Sequence, residues 1–524
     1  MAAGRGIMKK RALFGGLLAL GILTGLVLIE GRGSKPQRPY IYSDPRKSGP
    51  DTPVTKEGLI TDIDYYVGLI DRAQADPYRQ ATKADFVLKA AALKDRIQRL
   101  PRDTMPLIDC YYYMQELASF LQDEHTEITF QPGWQKSYPD RFPLDIRIFD
   151  KRAFVRRDLS GANIPRSAEL ISIADKTVEE LLSETQKFTN VPLAHYKRQI
   201  AEKRFDAWLQ TYFKIAPPWK IAYRFEGKEK TVAVRGIPAE EFVKESEGDS
   251  FYSASSFIVD GENVPQLRIP RFWYPDRPRY EKFVDDFFQK HKDKNYLVID
   301  LRQNPGGDGR WGFFVLDHLM ESPYMTGQRF DFRISREFAE LNYYDRNMTY
   351  YNKRIPRLLW WFPPLRSLHH SYWMDRVCQA KIGEYAEEHE SYQTPDPGKA
   401  KFKGKTYLLV SHFTNSAAVV FSAIFKSNKL GTIVGQETGG RETFTSDPIS
   451  IQMPNSRLMA SIPVAILALP GNNPDRGVLP DVEVEYSLED VMNYKDLDLE
   501  KVKGLIKKDK GLYPKRNKLE ARPG

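Results

Sequence analysis

Apolar residues between Asp62 and Leu121 recur three and four positions apart: Tyr66, Leu69 and Ile70, then Phe86, Ala90 and Leu93, then Leu107, Tyr111, Met114 and Leu117. Pro77, Pro101 and Pro106 interrupt that rhythm, so the segment reads as about three helices. Phe142–Arg156 and Glu169–Ala174 alternate as strands, Thr177–Leu182 begins a helix, and Ala194–Ala216 is helical again. Lys220–Arg235 reads as a hairpin turning at Glu226-Gly227-Lys228. Asn263–Met320 then gives strand, helix (Pro278–His291), strand, glycine turn and helix, and Phe402–Val434 gives strand, helix, strand. This alternation predicts an α/β core of βαβ units with a mixed sheet. Between the two blocks lies the aromatic stretch Glu321–Ala400, with Trp360-Trp361-Phe362 and Tyr372-Trp373. Its length predicts a helical insertion or a lid over a substrate cleft, with an insertion packed on the core away from substrate as the alternative.

Ala12–Ile29 carries no charge and follows Arg5, Lys9, Lys10 and Arg11. A positive flank before an apolar run of nearly spanning length predicts a retained single-pass anchor, with a cleaved signal peptide as the alternative. The bulk of the chain would then sit on the exported, periplasmic or extracellular side, with the membrane as a partner. The formal charge of +9 is concentrated at the ends. Met1–Lys47 and Lys501–Gly524 each carry net +7, leaving −5 on the residues between, so no basic groove for nucleic acid is expected. The two cysteines, Cys110 and Cys378, could pair or stay free. No Cys/His spacing marks a metal site, and neither metal nor cofactor is expected.

Two segments carry chemistry. Asn295–Gly307 is an apolar strand ending in Gly306-Gly307, whose bare backbone suits an oxyanion hole. Thr414–Phe421 follows the apolar strand Thr406–Ser411 and opens a helix with Ser416 at its N-terminus, where a nucleophile sits in a positive field. The N–H of Ala417 would be one oxyanion donor and Gly306 or Gly307 the other. The candidate base is His125, in Leu121-Gln-Asp-Glu-His-Thr-Glu, with His412 as a second candidate. The pattern points to acyl transfer.

Five motifs occur in order: Asp123-Glu-His-Thr, Val298-Ile-Asp-Leu-Arg-Gln-Asn-Pro-Gly-Gly, Thr414-Asn-Ser-Ala-Ala, Gly435-Gln-Glu-Thr-Gly-Gly and Gly477-Val-Leu-Pro-Asp-Val-Glu-Val. On these the chain resembles the C-terminal processing (tail-specific) peptidase family of serine hydrolases over most of Thr61–Glu485. The resemblance implies a helical N-terminal domain, a PDZ-like segment around Arg141–Val191 that captures a chain terminus or serves structure alone, and an α/β catalytic core. It also implies Ser416 as nucleophile, with Gly306, Gly307 and Ala417 forming the oxyanion hole. Many relatives place a lysine base 25 residues after the serine, where this chain has Arg441. A guanidinium stays protonated and cannot take the serine proton. The resemblance is therefore placed nearer the tricorn-like Ser-His branch, with His125 as base and Asp475 orienting it; Glu437 is the rival for that last role.

The expected organisation is a signal anchor (1–33), a linker (34–56), a helical domain (57–130) and a PDZ-like and hairpin region (140–240). A peptidase core follows (255–320 with 401–486), interrupted by the aromatic insertion (321–400), and a basic C-terminal tail ends the chain (487–524). The expected activity is that of an exported serine endopeptidase acting on peptide or protein substrates. The alternative is a ligand- or peptide-binding protein without catalysis on the same fold.

Overall fold

The computed structural model describes residues 37–241, 251–342, 345, 380–471 and 473–512. Three helices lead: α1 (Lys56–Ala73), α2 (Lys83–Gln98) and α3 (Leu107–Ser119). The Thr55 and Thr82 side chains cap the first two by accepting from Gly58 N and Asp85 N, satisfying donors that a helix start leaves free. Ile63, Tyr66 and Ile70 of α1 pack with Phe86, Leu93, Met114 and Leu117. That core extends to Ile451 and Ile462, far along the chain.

A second unit is the antiparallel sheet of β1 (Leu144–Phe149), β2 (Arg152–Asp158), β3 (Glu169–Ile173), β4 (Trp219–Phe225) and β5 (Lys228–Val234). Its order is β5-β4-β3-β2-β1. Helices α4 (Val178–Thr185) and α5 (Ala194–Thr211) pack on it through Leu181, Phe205 and Leu209. The β4–β5 turn places both Glu226 and Gly227 at positive φ, as a tight hairpin turn requires.

The third unit is a mixed sheet made of β6 (Ser253–Val259), β7 (Glu262–Arg268), β8 (Tyr296–Asp300), β11 (Lys405–Val410), β12 (Gly431–Gly435) and β15 (Val482–Glu483), in that spatial order. The β6–β7 pair is antiparallel and the remaining pairs are parallel. Helices α6 (Arg277–His291), α7 (Gly309–Leu316) and α8 (Ala417–Ser427) cover one face. On the other face lies α9 (Leu497–Leu512), which buries Val502 and Ile506 against Val298, Leu409 and Val434. Burial on both faces explains why β8 reads as an unbroken apolar run. The tail expected from residue 487 thus contains a packed helix, α9, because Val502 and Ile506, four apart, face the sheet.

The fourth sheet is antiparallel, in the order β10-β9-β14-β13: β9 (Tyr324–Arg333), β10 (Tyr385–Gln393), β13 (Thr443–Gln452) and β14 (Met459–Ala468). The ends of the aromatic insertion therefore pair with each other as β9 and β10. Its centre, including Trp360-Trp361-Phe362 and His369-His370, lies outside the described residues, as does Cys378; Cys110 is buried in the helical core.

The apolar run Ala12–Ile29 also lies outside the described residues. Among the described residues no helix is long and apolar enough to cross a membrane. The expected transmembrane anchor, the membrane as partner and the exported, periplasmic placement are corrected to that extent: the described residues carry no such anchor.

Candidate active site

The β8–α7 and β11–α8 connections meet side by side. Asn304, fully buried, ties them together: its carbonyl accepts from Asn415 N at 3.0 Å and its Nδ2 donates to Ile269 O at 3.0 Å. Thr414 Oγ1 donates to Leu301 O at 3.0 Å, and Ser411 Oγ donates to Arg302 O at 2.6 Å. These bonds hold the serine loop against the glycine turn.

Ser416 sits at φ +51°, ψ −122°, directly before α8. A left-handed serine is strained, by roughly 1–3 kcal/mol, and such strain persists only where surrounding structure enforces it. The enforcement comes from α8, in which every residue from Ala417 to Phe425 is buried. The serine Oγ makes no capping hydrogen bond to the helix it precedes. Gly306 (φ +101°) is packed beneath it; a Cβ there would lie 2.6 Å from Ser416 Cβ and 2.9 Å from Ala417 N.

The two glycines differ as donors. Gly306 N donates to Asn304 Oδ1 at 2.8 Å. Gly307 instead forms a bridge with Phe272 in which Phe272 N donates to Gly306 O and Asp308 N to Phe272 O. That pattern leaves Gly307 N without an acceptor among the described residues. Ala417 N, at the first position of α8, is likewise without an acceptor among the described residues.

His125 arrives from the other side. Strand Glu127–Ile128 adds to β14 next to Ser461 and Ala460, and Ser461 Oγ donates to His125 O at 2.9 Å. His125 N donates to Asp123 Oδ1 at 2.9 Å, and the Asp123 carboxylate also accepts from Thr445 Oγ1 and Gln74 Nε2. The ring stacks on Phe444 at 5.7 Å between centroids. Its Nε2 lies 3.1 Å from Ser416 Oγ, a hydrogen bond between residues 291 apart in sequence. Burial holds the imidazole below the usual histidine range, against the opposing pull of Asp123 and the Thr445 backbone. Nδ1 faces Glu124 Oε1 at 4.0 Å.

Glu124 had no role in the sequence reading. Both its carboxylate oxygens are buried without hydrogen bonds, and burial pushes its carboxyl up to about 8, against the pull of Arg441. Its signal was present, since it directly precedes His125, but sequence gave no sign that it would point inward.

The other candidates lie elsewhere. Asp475 is exposed and pairs with Arg79 at 2.9 Å; among the described residues it makes no hydrogen bond or ion pair with His125. Glu437 accepts from Arg476 Nε at 2.8 Å and Gly477 N at 2.9 Å. His412 stacks on His195 of α5 at 4.4 Å and accepts from Arg198 at 3.3 Å. Burial, then His195 and Arg198, push it down to about 3. Among the described residues no group of acidic, histidine and cysteine side chains could hold a metal ion.

Residues 263–484 match the model of peptidase family S41. No curated protein matches. Among solved structures the chain is similar to mature CPAF complexed with lactacystin, at 16% identity and a TM-score of 0.64, covering 86% of this chain and 98% of that one. It is also similar to mature CPAF at 15% identity and 0.63, covering 88% and 99%. At these identities the likeness shows the fold. The family match makes the chain a serine-type peptidase.

The same comparisons overturn part of the sequence reading. Tricorn protease aligns at a TM-score of only 0.31, over 37% of its own length, and carries no argument. The tail-specific and C-terminal processing members of the matched family work with a Ser-Lys dyad. The tricorn-like Ser-His placement is therefore corrected: what stands is the match of residues 263–484 to the model of peptidase family S41. The function expected from that placement, hydrolysis with His125 as base, is corrected to serine endopeptidase activity without that assignment.

Proposed function

We propose that the chain is an endopeptidase whose nucleophile is Ser416. The observation carrying this reading is the strained serine at the meeting of the glycine turn and α8, where Gly307 N and Ala417 N have no acceptor among the described residues. In the proposed reaction Oγ attacks the scissile carbonyl, the new C–O bond forms as the carbonyl oxygen becomes negative, and those N–H groups receive the charge. The C–N bond then breaks and the amine leaves with the proton that Oγ gave up; water adds its OH to the acyl carbon and returns a hydrogen to Ser416 Oγ as the ester bond breaks. Gly306 serves close approach instead of donation. His125 belongs to the site as the hydrogen-bond partner that orients Oγ, and Asp475 is not needed for it.

Segment 140–240 is read as PDZ-like, on its antiparallel sheet with α4 and α5. Terminus capture by strand addition to β1 would have to contend with Glu202, which already accepts from Ile148 N at 2.8 Å. A structural role is the reading this favours.

The test is hydrolysis of a denatured protein by the full chain. Ser416→Ala abolishes cleavage. His125→Ala lowers kcat roughly a hundredfold, because an unheld hydroxyl loses its attack geometry. An unchanged rate in Ser416→Ala would reject the assignment. A wild type that binds peptides and cuts none would favour the binding-protein alternative.

A further inference from the structure

Arg441 stands where many relatives carry their lysine, and its surroundings are unusual for an arginine. The residue is 7% exposed, and its Nε is buried without a hydrogen-bond partner. No carboxylate among the described residues comes within ion-pair distance of its guanidinium; Asp475 is taken up by Arg79 and Asp123 by Thr445, Gln74 and the His125 backbone. Glu124, the acid whose field it feels most, is driven toward its neutral form by burial. A buried guanidinium without an ionised partner is costly to keep.

Its location gives that cost a use. Arg441 bridges Gly477 through its backbone, and the preceding Gly440 lies so close to the serine loop that a Cβ would meet Asn415 Oδ1 at 2.2 Å and Glu124 Oε1 at 3.3 Å. Asn415 Oδ1 and both Glu124 oxygens are themselves buried and unpartnered. The result is a cluster of polar groups around the Arg441 guanidinium, which also feels the charge of Arg79, and the cluster includes the residues that directly precede Ser416 and His125. A guanidinium presents a planar fork of donors that matches a carboxylate with two parallel hydrogen bonds.

Resting on the endopeptidase reading, we propose that Arg441 forms a carboxylate-binding subsite beside Ser416, so that peptides presenting an acidic group there are preferred substrates. The carboxylate comes from an aspartate or glutamate side chain or from the substrate's C-terminal end; the chemistry is shared and the peptides separate the two.

The experiment uses internally quenched peptides with full-length wild type, Arg441→Gln and Arg441→Lys. One arm exchanges Glu for Gln at successive positions around the cut, and the other exchanges a free C-terminal carboxylate for the amide. Wild type is expected to favour the acid over its amide in one arm by about 10-fold to 100-fold in kcat/KM, the range for a hydrogen bond to a charged group. Arg441→Gln brings that ratio close to one, and Arg441→Lys keeps part of it, since the charge survives without the fork. A fold defect would lower both members of a peptide pair equally and leave the ratio intact, which overturns the proposal. Equal cleavage of acid and amide peptides by wild type, a measurement independent of any variant, overturns it while leaving the peptidase reading standing. A wild type that cleaves none of them removes both.

Discussion

Ser416 and Glu124 show how much local cost the site holds. The serine's left-handed backbone is kept by a helix with no exposed residue in its first two turns. Glu124 is kept by the loop around His125, where Asn190 Nδ2 donates to the carbonyls of Asp123, Glu124 and Thr126. The raised Glu124 carboxyl makes a prediction of definite sign. An unfolded glutamate ionises near 4.3, whereas the folded one holds its proton to about 8. Between those values the native state binds more protons than the unfolded state, so this residue lowers stability as pH rises. Glu124→Gln, which fixes the neutral form, should therefore raise Tm relative to wild type by an amount that is small near pH 4, grows toward pH 8 and then levels off. The full effect is on the order of a few kcal/mol. A Tm difference independent of pH would contradict it.

At the scale of elements, the motif Asp300-Leu301-Arg302 serves a purpose beyond the glycine turn it precedes. Arg302 pairs with Asp300 at 2.7 Å and reaches across to Asp496 at 2.6 Å and Asp498 at 3.1 Å, at the start of α9. Asp300 and Asp498 are buried, so removing the guanidinium leaves them unpaired. Arg302→Gln should cost about 3–5 kcal/mol, read as a lower urea midpoint, with amide exchange in α9 rising more than in α1–α3. Uniform exchange behaviour would mean that α9 is held without Arg302, by Val502, Ile506 and the bonds of Asp509 to Tyr296 and Lys405. The sequence makes α1 to α3 legible because Tyr66, Leu69 and Ile70 keep a 3.6-residue rhythm on one buried face. Helix α9 is harder to see, since two buried apolar positions amid lysines leave little periodic signal.

At the scale of the molecule, the candidate site lies where units far apart in the chain converge. The mixed sheet supplies Gly306, Gly307 and Ser416, while the helical domain and the strand Glu127–Ile128 deliver His125 to the edge of β14. The turn chemistry at Gly306-Gly307 and Ser416 could be read locally, because glycine pairs and a strand-to-helix serine leave their mark in a dozen residues. What joins His125 to Ser416 could not, because it depends on β14 pairing across more than 300 residues. For the same reason the exposed pairing of Asp475 with Arg79 and the inward turn of Glu124 carry no sequence signature. For Ser416 Oγ to donate to Nε2 in this contact, the imidazole must be neutral. With His125 held below the usual range, kcat/KM should fall only as pH drops under about 6.5. A fall centred well above that would dissociate activity from this contact.

The nucleophilic serine is the central claim, and covalent capture tests it most directly. The full-length protein would be treated with a fluorophosphonate and digested, and the adduct located by mass spectrometry. Modification of one residue, Ser416, that disappears in Ser416→Ala and on prior denaturation is the predicted result. Labelling of another serine, or a folded wild type that takes up no probe while it cleaves peptides, would contradict the account.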